Sequence, residues 1–217
     1  MENRDLAKYV DHTLLKPQAG KKEVEKICFE AREHGFAAVC VLPYYVQLAK
    51  NLLQKTGVLV ATVVGFPLGA TYTSAKVNEV RRALKDGADE IDMVINFSAL
   101  LDGDLEKVRS DITGVVEAAE GKPVKAIIET CFLNREQKIK ATRIAQEAGV
   151  EYVKTSTGFG SGGATVEDVR LFRETLQGKA KIKASGGIRD REKALEMIEA
   201  GAHRLGTSSG VAIMEGK

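Results

Sequence analysis

The amino-acid sequence predicts a single (β/α)8 barrel, the TIM-barrel fold, spanning residues 1–217 as one domain. Three observations predict this α/β fold: a repeated helix–glycine–strand pattern, strand-like runs rich in Val, Ile and Ala, and a repeat length of about 28 residues. A chain of 217 residues, 44% of them hydrophobic, is long enough to bury the core of such a domain.

The predicted elements follow one another in a regular order. The first strand is YVDHTLL, which precedes the first long amphipathic segment. Seven units follow, each a charged amphipathic segment, a glycine and an apolar run: AREHG-FAAVCVL, LLQKTG-VLVATVVGF, ALKDG-ADEIDMVIN, EAAEG-KPVKAIIE, AQEAG-VEYVKTS, TLQG-KAKIKAS and MIEAG-AHRLGTSS. Glycine adopts positive φ without a Cβ clash, so each glycine predicts a helix end: Gly35, Gly57, Gly87, Gly121, Gly149, Gly178 and Gly201.

A doubly wound open sheet is the alternative arrangement of the same units. Eight strands in so short a chain, with no composition break and no long linker, favour closure into one barrel. In a barrel, the carboxyl ends of all strands meet at one mouth, where barrel enzymes carry their active sites. The glycine-rich stretch GFGSGGAT, residues 158–165, lies between a predicted strand and a helix at this mouth.

Composition argues against several classes of protein. A net charge of +2 without a basic run argues against nucleic-acid binding, and the absence of Trp argues against a base-stacking surface. No apolar run approaches the roughly 18 to 20 residues of a membrane span, and the start MENRDLAKYVDH lacks the apolar core of a secretory signal. Three cysteines without a CxxC motif indicate a reducing compartment, so we expect a cytoplasmic protein.

Four charged residues interrupt the predicted strands. Asp11 lies in YVDHTLL, Asp92 in EIDMVIN, Lys154 in EYVKTST and Lys183 in KIKASGG, each toward the carboxyl half of its strand. A charge inside a buried strand is costly unless it is paired or used in function. Two interpretations stay open at this point: a pair of structural salt bridges, or a reactive site at the mouth of the barrel.

Two neighbouring lysines are able to produce a carbonyl nucleophile. A lysine amine attacks a carbonyl only when neutral, and at an ordinary pKa of about 10.4 only about 0.04% is neutral at pH 7. A second ammonium about 5 Å away opposes protonation by about 3 kcal/mol at an effective dielectric constant near 20, and burial adds to this. Lys154 and Lys183 therefore form a credible Schiff-base pair, and Asp92 is a suitable proton carrier.

The other charged residues at strand positions have simpler interpretations. Lys125 and Lys181 are expected to extend to water from strand starts. Glu129 and Thr130 end their strand, where they either line the mouth of the barrel or form a solvated strand end, and the second interpretation is favoured. The three histidines do not form the clusters typical of catalytic metal sites, so we expect no metal and no other cofactor: His12, His34 and His203.

The loops after the last two predicted strands carry glycines and serines. Gly186 and Gly187 follow the strand of Lys183, and Ser208 and Ser209 follow the final strand. In barrel enzymes these loops commonly bind phosphate through backbone N–H groups. The pattern therefore indicates a phosphate site beside the two lysines.

Five segments, in the same order and across essentially the whole chain, resemble the deoxyribose-phosphate aldolase family: DHTLLKP, EIDMVIN, VKTSTGF, KASGGIR and GTSSG. The resemblance implies a metal-free class I aldolase on a (β/α)8 barrel. Such an enzyme interconverts 2-deoxy-D-ribose 5-phosphate with D-glyceraldehyde 3-phosphate and acetaldehyde. Its partners would be these small molecules, without nucleic acid or membrane, and a homo-oligomer, either a dimer or a tetramer, stays open.

The same resemblance implies roles for individual residues. Lys154 corresponds to the Schiff-base lysine, Lys183 to the lysine that lowers its pKa and joins the proton relay, and Asp92 to the acid/base. Asp11 and Thr13 correspond to residues around the substrate hydroxyls. The implied phosphate cradle consists of Gly158, Gly186, Gly187, Ser208 and Ser209.

This chain departs from the family pattern at two places. Some members carry a basic residue after TSTG, where this chain has Phe159, which removes one contact to the phosphate. Some longer members end in a tail with a tyrosine that assists proton transfer, whereas this sequence reads Ile213-Met214-Glu215-Gly216-Lys217. We therefore expect proton transfer to rely on water, Asp92 and Lys183.

Three other functions stay open from the sequence. One is another Schiff-base barrel aldolase, similar to a transaldolase and acting on a larger ketose. A second is a phosphate-binding isomerase or synthase, which would form no imine. The third is a non-catalytic sugar-phosphate-binding protein, which would have no use for a buried neutral amine.

Overall fold

The computed structural model describes residues 1–216 as a closed barrel of eight parallel strands. Neighbouring strands pair in chain order, and the last pairs with the first, as the sequence predicts. Lys217, the last residue of the predicted domain, lies outside the described residues. The strands are β1 (Val10–Leu14), β2 (Ala38–Val41), β3 (Leu59–Val64), β4 (Glu90–Val94), β5 (Val124–Ile127), β6 (Tyr152–Lys154), β7 (Lys181–Ser185) and β8 (Arg204–Thr207).

The helices of the seven predicted helix–strand units are all present. They are α2 (Lys21–His34), α3 (Val46–Leu52), α4 (Thr73–Lys85), α6 (Leu105–Ala118), α7 (Arg135–Glu147), α8 (Val166–Leu176) and α9 (Arg191–Ala200). Three short α-helices are not predicted by the pattern: α1 (Asn3–Ala7), α5 (Phe97–Leu101) and α10 (Gly210–Met214). Two 3-10 helices, Pro43–Tyr45 and Thr130–Phe132, are not predicted either. All seven glycines of the repeat have positive φ. Six of them lie within three residues of the end of their helix, which confirms those helix ends, whereas Gly57 lies five residues beyond Leu52, the last residue of α3.

The side chains of each strand divide between two environments. In β4, Ile91 and Met93 belong to the main hydrophobic core that the helices cover, whereas Asp92 between them does not. This alternation follows from the two-residue period of a strand, which turns successive side chains to opposite faces. Residues with even spacing from Asp92 therefore face the interior of the barrel.

The interior of the barrel is apolar on one side only. Cys40 of β2 packs with Ala61 and Val63 of β3 and with Leu15 in a small cluster separate from the main core. Each of β4 to β8 and β1 carries at least one charged side chain at an inward position. Charge is therefore concentrated in one half of the barrel, beside an apolar wall.

A buried ion pair joins helix α4 to helix α6. Lys76 of α4 contacts the Asp111 carboxylate at 2.5 Å and also donates to the Val94 carbonyl at 2.8 Å. Since both charges are buried, each is stable only in the presence of the other. The pair fixes the carboxyl end of β4, two residues beyond Asp92.

Across residues 1–216, every helix is too short or too polar to serve as a membrane span.

Candidate active site

Seven charged side chains meet inside the barrel, and each is at most 9% exposed. They come from six strands, and all project from inward-facing positions. The set consists of Asp11 (β1), Glu90 and Asp92 (β4), Lys125 (β5), Lys154 (β6), Lys183 (β7) and Arg204 (β8). Burying so many charges is costly unless each is paired, so their pairing determines what the site can do.

Asp92 is the centre of this group. Its Oδ2 atom accepts from Lys154 Nζ at 2.7 Å and from Lys183 Nζ at 2.7 Å. Its Oδ1 atom accepts from Lys125 Nζ at 2.9 Å. Because Lys154 and Lys183 share one oxygen, their nitrogens lie at most twice that contact distance apart, close enough to repel strongly when both are protonated.

Six of the seven side chains form a closed ring of alternating charge. Lys183 contacts Asp11 at 2.5 Å, and Arg204 links Asp11 at 2.7 Å to Glu90 at 2.9 Å. Lys125 then contacts Glu90 at 2.6 Å and Asp92 at 2.9 Å, and Asp92 completes the ring to Lys183. Each ring member therefore has an oppositely charged neighbour on both sides.

Lys154 is the seventh charge and lies outside the ring. The cluster contains four basic groups and three carboxylates, so one positive charge has no counterpart when all are ionised. Lys154 has a single carboxylate contact here, whereas each basic ring member has two. Loss of the Lys154 proton would leave the whole cluster with no net charge, and this makes Lys154 the amine best placed to be uncharged.

The pKa shifts of the two lysines agree with this charge balance. Burial lowers the pKa of Lys154; the Asp92 carboxylate opposes this, and the Lys183 charge adds to the lowering. For Lys183, burial alone would lower the pKa, but Asp11 and Asp92 raise it above its ordinary value. Of the two lysines, Lys154 therefore loses its proton more easily, and Lys183 stays protonated. Burial lowers the pKa of Lys154 more than the Lys183 charge does, whereas the sequence analysis gave the larger effect to the neighbouring charge.

The Asp11 and Asp92 carboxyl groups remain ionised at neutral pH, because the pKa of each is lowered. Burial alone would raise the pKa of Asp92, but Lys125, Lys154 and Lys183 hold it well below its usual range. Lys183 and Arg204 likewise outweigh burial at Asp11 and lower its pKa to about 2. These carboxylates are available as hydrogen-bond acceptors and as counterions for a cationic intermediate.

Two sequence-based expectations at strand ends are wrong. Lys125 does not extend to water; it is fully buried, because β5 turns it toward Glu90 and Asp92. Glu129 and Thr130 are not a solvated strand end either, since both are buried. The Glu129 carboxylate accepts from the Thr157 backbone N–H at 3.2 Å and from its hydroxyl, and so fixes the loop after β6. Lys181 extends to solvent as expected and contacts Glu151 at 2.8 Å.

An open cavity of about 450 Å³ reaches Lys154 from the mouth of the barrel. Its wall includes most of the predicted binding residues: Thr13, Gly158, Gly186, Gly187 and Ser208. Asp11, Asp92 and Lys183 lie beneath it as buried members of the charge cluster, and Ser209 lies beside it at the N-cap of α10. Lys154 is thus the member of the cluster that an incoming molecule meets first.

The loops after β6 and β7 lie against one another at this cavity. A Cβ built on Gly163 would lie 2.3 Å from the Gly186 carbonyl oxygen, so the loops after β6 and β7 approach as only glycine allows. Phe159 lines the same cavity, is half exposed, and packs edge-on against Phe66 with ring centroids 5.3 Å apart. Positive charge in the wall comes instead from Lys16 and Arg189.

The sequence interpretation missed three members of the charge cluster: Glu90, Lys125 and Arg204. A signal for Glu90 existed, since it precedes Asp92 by two residues and therefore shares its face of the strand. Lys125 is opposite Asp92 in the β4–β5 register, which depends on pairing between strands far apart in sequence. Recognising Arg204 would have required the pairing of β8 with β1, because this pairing brings Arg204 into contact with Asp11.

Sequence comparisons identify a family model and several named proteins that are similar to this chain. The family model described as DeoC/LacD family aldolase matches residues 6–215. A protein of Thermococcus gammatolerans named deoxyribose-phosphate aldolase is 60% identical, with 100% of this chain and 98% of that protein covered. One from Dictyoglomus turgidum with the same name is 56% identical, with 100% and 99% covered.

Solved structures show the same likeness. A chain titled "QR15, an Aldolase" superposes with a TM-score of 0.94 at 46% identity and covers 97% of this chain and 95% of its own. The structure titled "Unique tetrameric structure of deoxyribose phosphate aldolase from Aeropyrum pernix" gives a TM-score of 0.93 at 33% identity, covering 99% and 91%.

Proposed function

The chain belongs to the DeoC/LacD family of aldolases, and we propose that it cleaves 2-deoxy-D-ribose 5-phosphate reversibly through an imine on Lys154. The products are D-glyceraldehyde 3-phosphate and acetaldehyde. The observation that carries this proposal is the charge cluster, in which four basic groups face three carboxylates and Lys154 alone borders the cavity. A buried amine with a lowered pKa is a nucleophile toward carbonyls.

The first half of the reaction builds the imine. Neutral Lys154 Nζ attacks the C1 aldehyde of the open-chain sugar and forms a carbinolamine. The Lys183 ammonium is positioned to protonate the departing hydroxyl, since its raised pKa keeps it protonated and both lysines contact the same Asp92 oxygen. Loss of water gives a cationic iminium, which the ionised Asp92 stabilises as a counterion in place of the Lys154 ammonium.

The second half breaks the carbon–carbon bond. Removal of the proton from the C3 hydroxyl converts it to an aldehyde and breaks the C2–C3 bond, whose electrons pass into the iminium to form an enamine. D-Glyceraldehyde 3-phosphate then leaves. Protonation of the enamine at C2 and hydrolysis of the resulting imine release acetaldehyde and restore Lys154. Asp92 and Lys183 carry the protons in this proposal, because Asp92 contacts both lysine nitrogens, and solvent water enters from the open cavity.

In this proposal the 5-phosphate end of the substrate would bind the loops formed by Gly158, Gly186, Gly187 and Ser208, which line the cavity. Lys16 and Arg189 line the same cavity and provide the positive charge that Phe159 does not. Thr13 borders the cavity, and Asp11 lies below it, bonded to Lys183. The chain between C1 and C5 would then extend from the charge cluster toward the surface.

The positions of Lys16 and Arg189 predict that these two side chains favour a phosphorylated sugar over an unphosphorylated one. Changing Lys16 and Arg189 together to glutamine should raise KM for deoxyribose 5-phosphate by about 10-fold or more, because each ion pair to phosphate contributes about 1 kcal/mol or more. Turnover of unphosphorylated 2-deoxyribose should change less than twofold. Steady-state kinetics on both sugars test this; an equal loss on both would place the two cations outside the phosphate site.

The decisive experiment on function is chemical trapping. Incubation with acetaldehyde and borohydride should add a two-carbon group to Lys154, identified by peptide mass spectrometry, and not to the equally buried Lys125. Cleavage of deoxyribose 5-phosphate should be measured beside it. A folded protein that forms no adduct would instead be a phosphate-binding barrel without imine chemistry. An adduct on Lys183 would retain the aldolase and exchange the roles of the two lysines.

A further inference from the structure

Ser185 borders the cavity and carries a buried hydroxyl that no protein group uses. The residue is only 5% exposed and lines the cavity together with Lys154 and Gly186. Within residues 1–216, its Oγ atom has no hydrogen-bond partner. A buried hydroxyl without a partner is unfavourable, and such groups in native proteins call for a functional explanation.

The hydroxyl is not needed to hold the strand in place. The backbone of Ser185 is already satisfied by Thr155, whose Oγ1 donates to the Ser185 carbonyl at 3.0 Å and accepts from the Ser185 N–H at 3.0 Å. These two bonds join the ends of β6 and β7. They fix the position of Ser185 and leave its side chain free to serve a ligand.

The neighbouring strand leaves room for this hydroxyl. A Cβ built on Gly206 of β8 would lie 2.3 Å from Ser185 Oγ and 3.1 Å from Lys183 Cε. Glycine in a strand weakens it and commonly marks a place where another group approaches closely. The absence of a side chain at position 206 therefore accommodates both Lys183 and the Ser185 hydroxyl.

The position of Ser185 along the cavity indicates which substrate atom it faces. It follows Lys183 by two residues on the same face of β7, so it lies one step, about 7 Å, closer to the mouth. Lys154 is opposite Lys183 in the β6–β7 register, and Gly186 of the phosphate loop follows Ser185 directly. Ser185 thus lies between the group that would bind C1 and the loop that would bind the 5-phosphate.

We propose that Ser185 Oγ hydrogen-bonds the C4 hydroxyl of the bound sugar phosphate. This is the hydroxyl next to the carbonyl in D-glyceraldehyde 3-phosphate, so Ser185 selects acceptor aldehydes that carry an α-hydroxyl group. The inference rests on the proposed aldolase function and adds a specificity-determining residue to it. A site that binds a substrate hydroxyl disfavours the analogue without it, because the buried protein group is then left unpaired.

The test compares two acceptors in the synthetic direction with acetaldehyde as donor. One is D-glyceraldehyde 3-phosphate, and the other is 3-phosphooxypropanal, which lacks the α-hydroxyl. The wild type should prefer the first by about 10-fold or more in kcat/KM. The variant Ser185→Ala should lose most of this preference and keep its activity on 3-phosphooxypropanal within about twofold.

Ser156 provides a matched control. Its hydroxyl is also buried and without a partner within residues 1–216, but it lies outside the cavity wall. Ser156→Ala should therefore keep the wild-type preference. Thermal unfolding of both variants separates a loss of fold from a loss of recognition.

Three results would overturn the inference about Ser185. Equal losses on both acceptors would indicate a structural role, and an unchanged preference would indicate no role. A loss on both phosphorylated acceptors, but none on unphosphorylated D-glyceraldehyde, would place the hydroxyl at the phosphate instead. Failure of the proposed function looks different, because the wild type would then form neither product nor a trapped imine.

Discussion

Lys154→Arg should reduce turnover of deoxyribose 5-phosphate by about 10⁴-fold or more while the fold remains intact. Arginine keeps the positive charge opposite Asp92 but is never neutral in a protein, so it cannot form the imine. The charge cluster would retain all of its other contacts, since Lys154 is not a member of the closed ring. Steady-state kinetics and borohydride trapping should both show the loss, and circular dichroism should be unchanged.

The control for this variant is Lys181→Arg. Lys181 lies on β7, extends to solvent and contacts Glu151, so the change should leave activity within about twofold. Residual activity above a tenth of wild type in Lys154→Arg would rule out Lys154 as the nucleophile. The proposal would then have to assign imine formation to another amine of the cluster.

Much of the fold can be predicted because its signals are local. A glycine that requires positive φ marks a helix end, and an apolar run after it marks a strand, as at Gly35 and Gly149. Closure of the barrel was favoured by the number of units and the length of the chain. The short helices α1, α5 and α10 were not predicted, since five residues give too little periodicity to be recognised.

The candidate site was only partly predictable from the sequence. Asp92, Lys154 and Lys183 are recognisable as charges inside apolar strands, and the structure brings all three into contact. The place of Lys125 at the start of a strand predicts a solvent-exposed side chain, which is wrong. The strand register that turns it onto Asp92 depends on contacts between distant segments. The closed ring of charge is therefore a property of the assembled barrel.

Removal of Lys183 should show how the cluster sets the reactivity of Lys154. In Lys183→Leu, Asp92 would keep Lys125 and Lys154 as partners and Asp11 would keep Arg204, so no carboxylate loses every counterion. The pKa of Lys154 should rise, because a nearby positive charge disappears and Asp92 acts more strongly on the remaining ammonium. At pH 7 the neutral fraction of Lys154 would fall.

We expect kcat of Lys183→Leu to fall about 100-fold at pH 7, from the loss of both the proton donor and the neutral amine. Since only neutral Lys154 reacts, activity rises with pH through its pKa, and the rising limb should move to higher pH than in the wild type. Activity should therefore be partly recovered in alkaline buffer. Lys181→Leu on the same strand, remote from Asp92, is the matched control and should keep both the rate and the profile.

The pH profile separates the two roles of Lys183, which a loss of rate alone cannot do. A proton donor can be removed without changing the charge state of Lys154, and the profile would then keep its position while its height falls. A neighbouring charge cannot be removed in that way, because Asp92 Oδ2 is shared by the two ammonium groups. An unshifted profile would therefore show that burial alone lowers the pKa of Lys154, and that the electrostatic account of Lys183 is wrong.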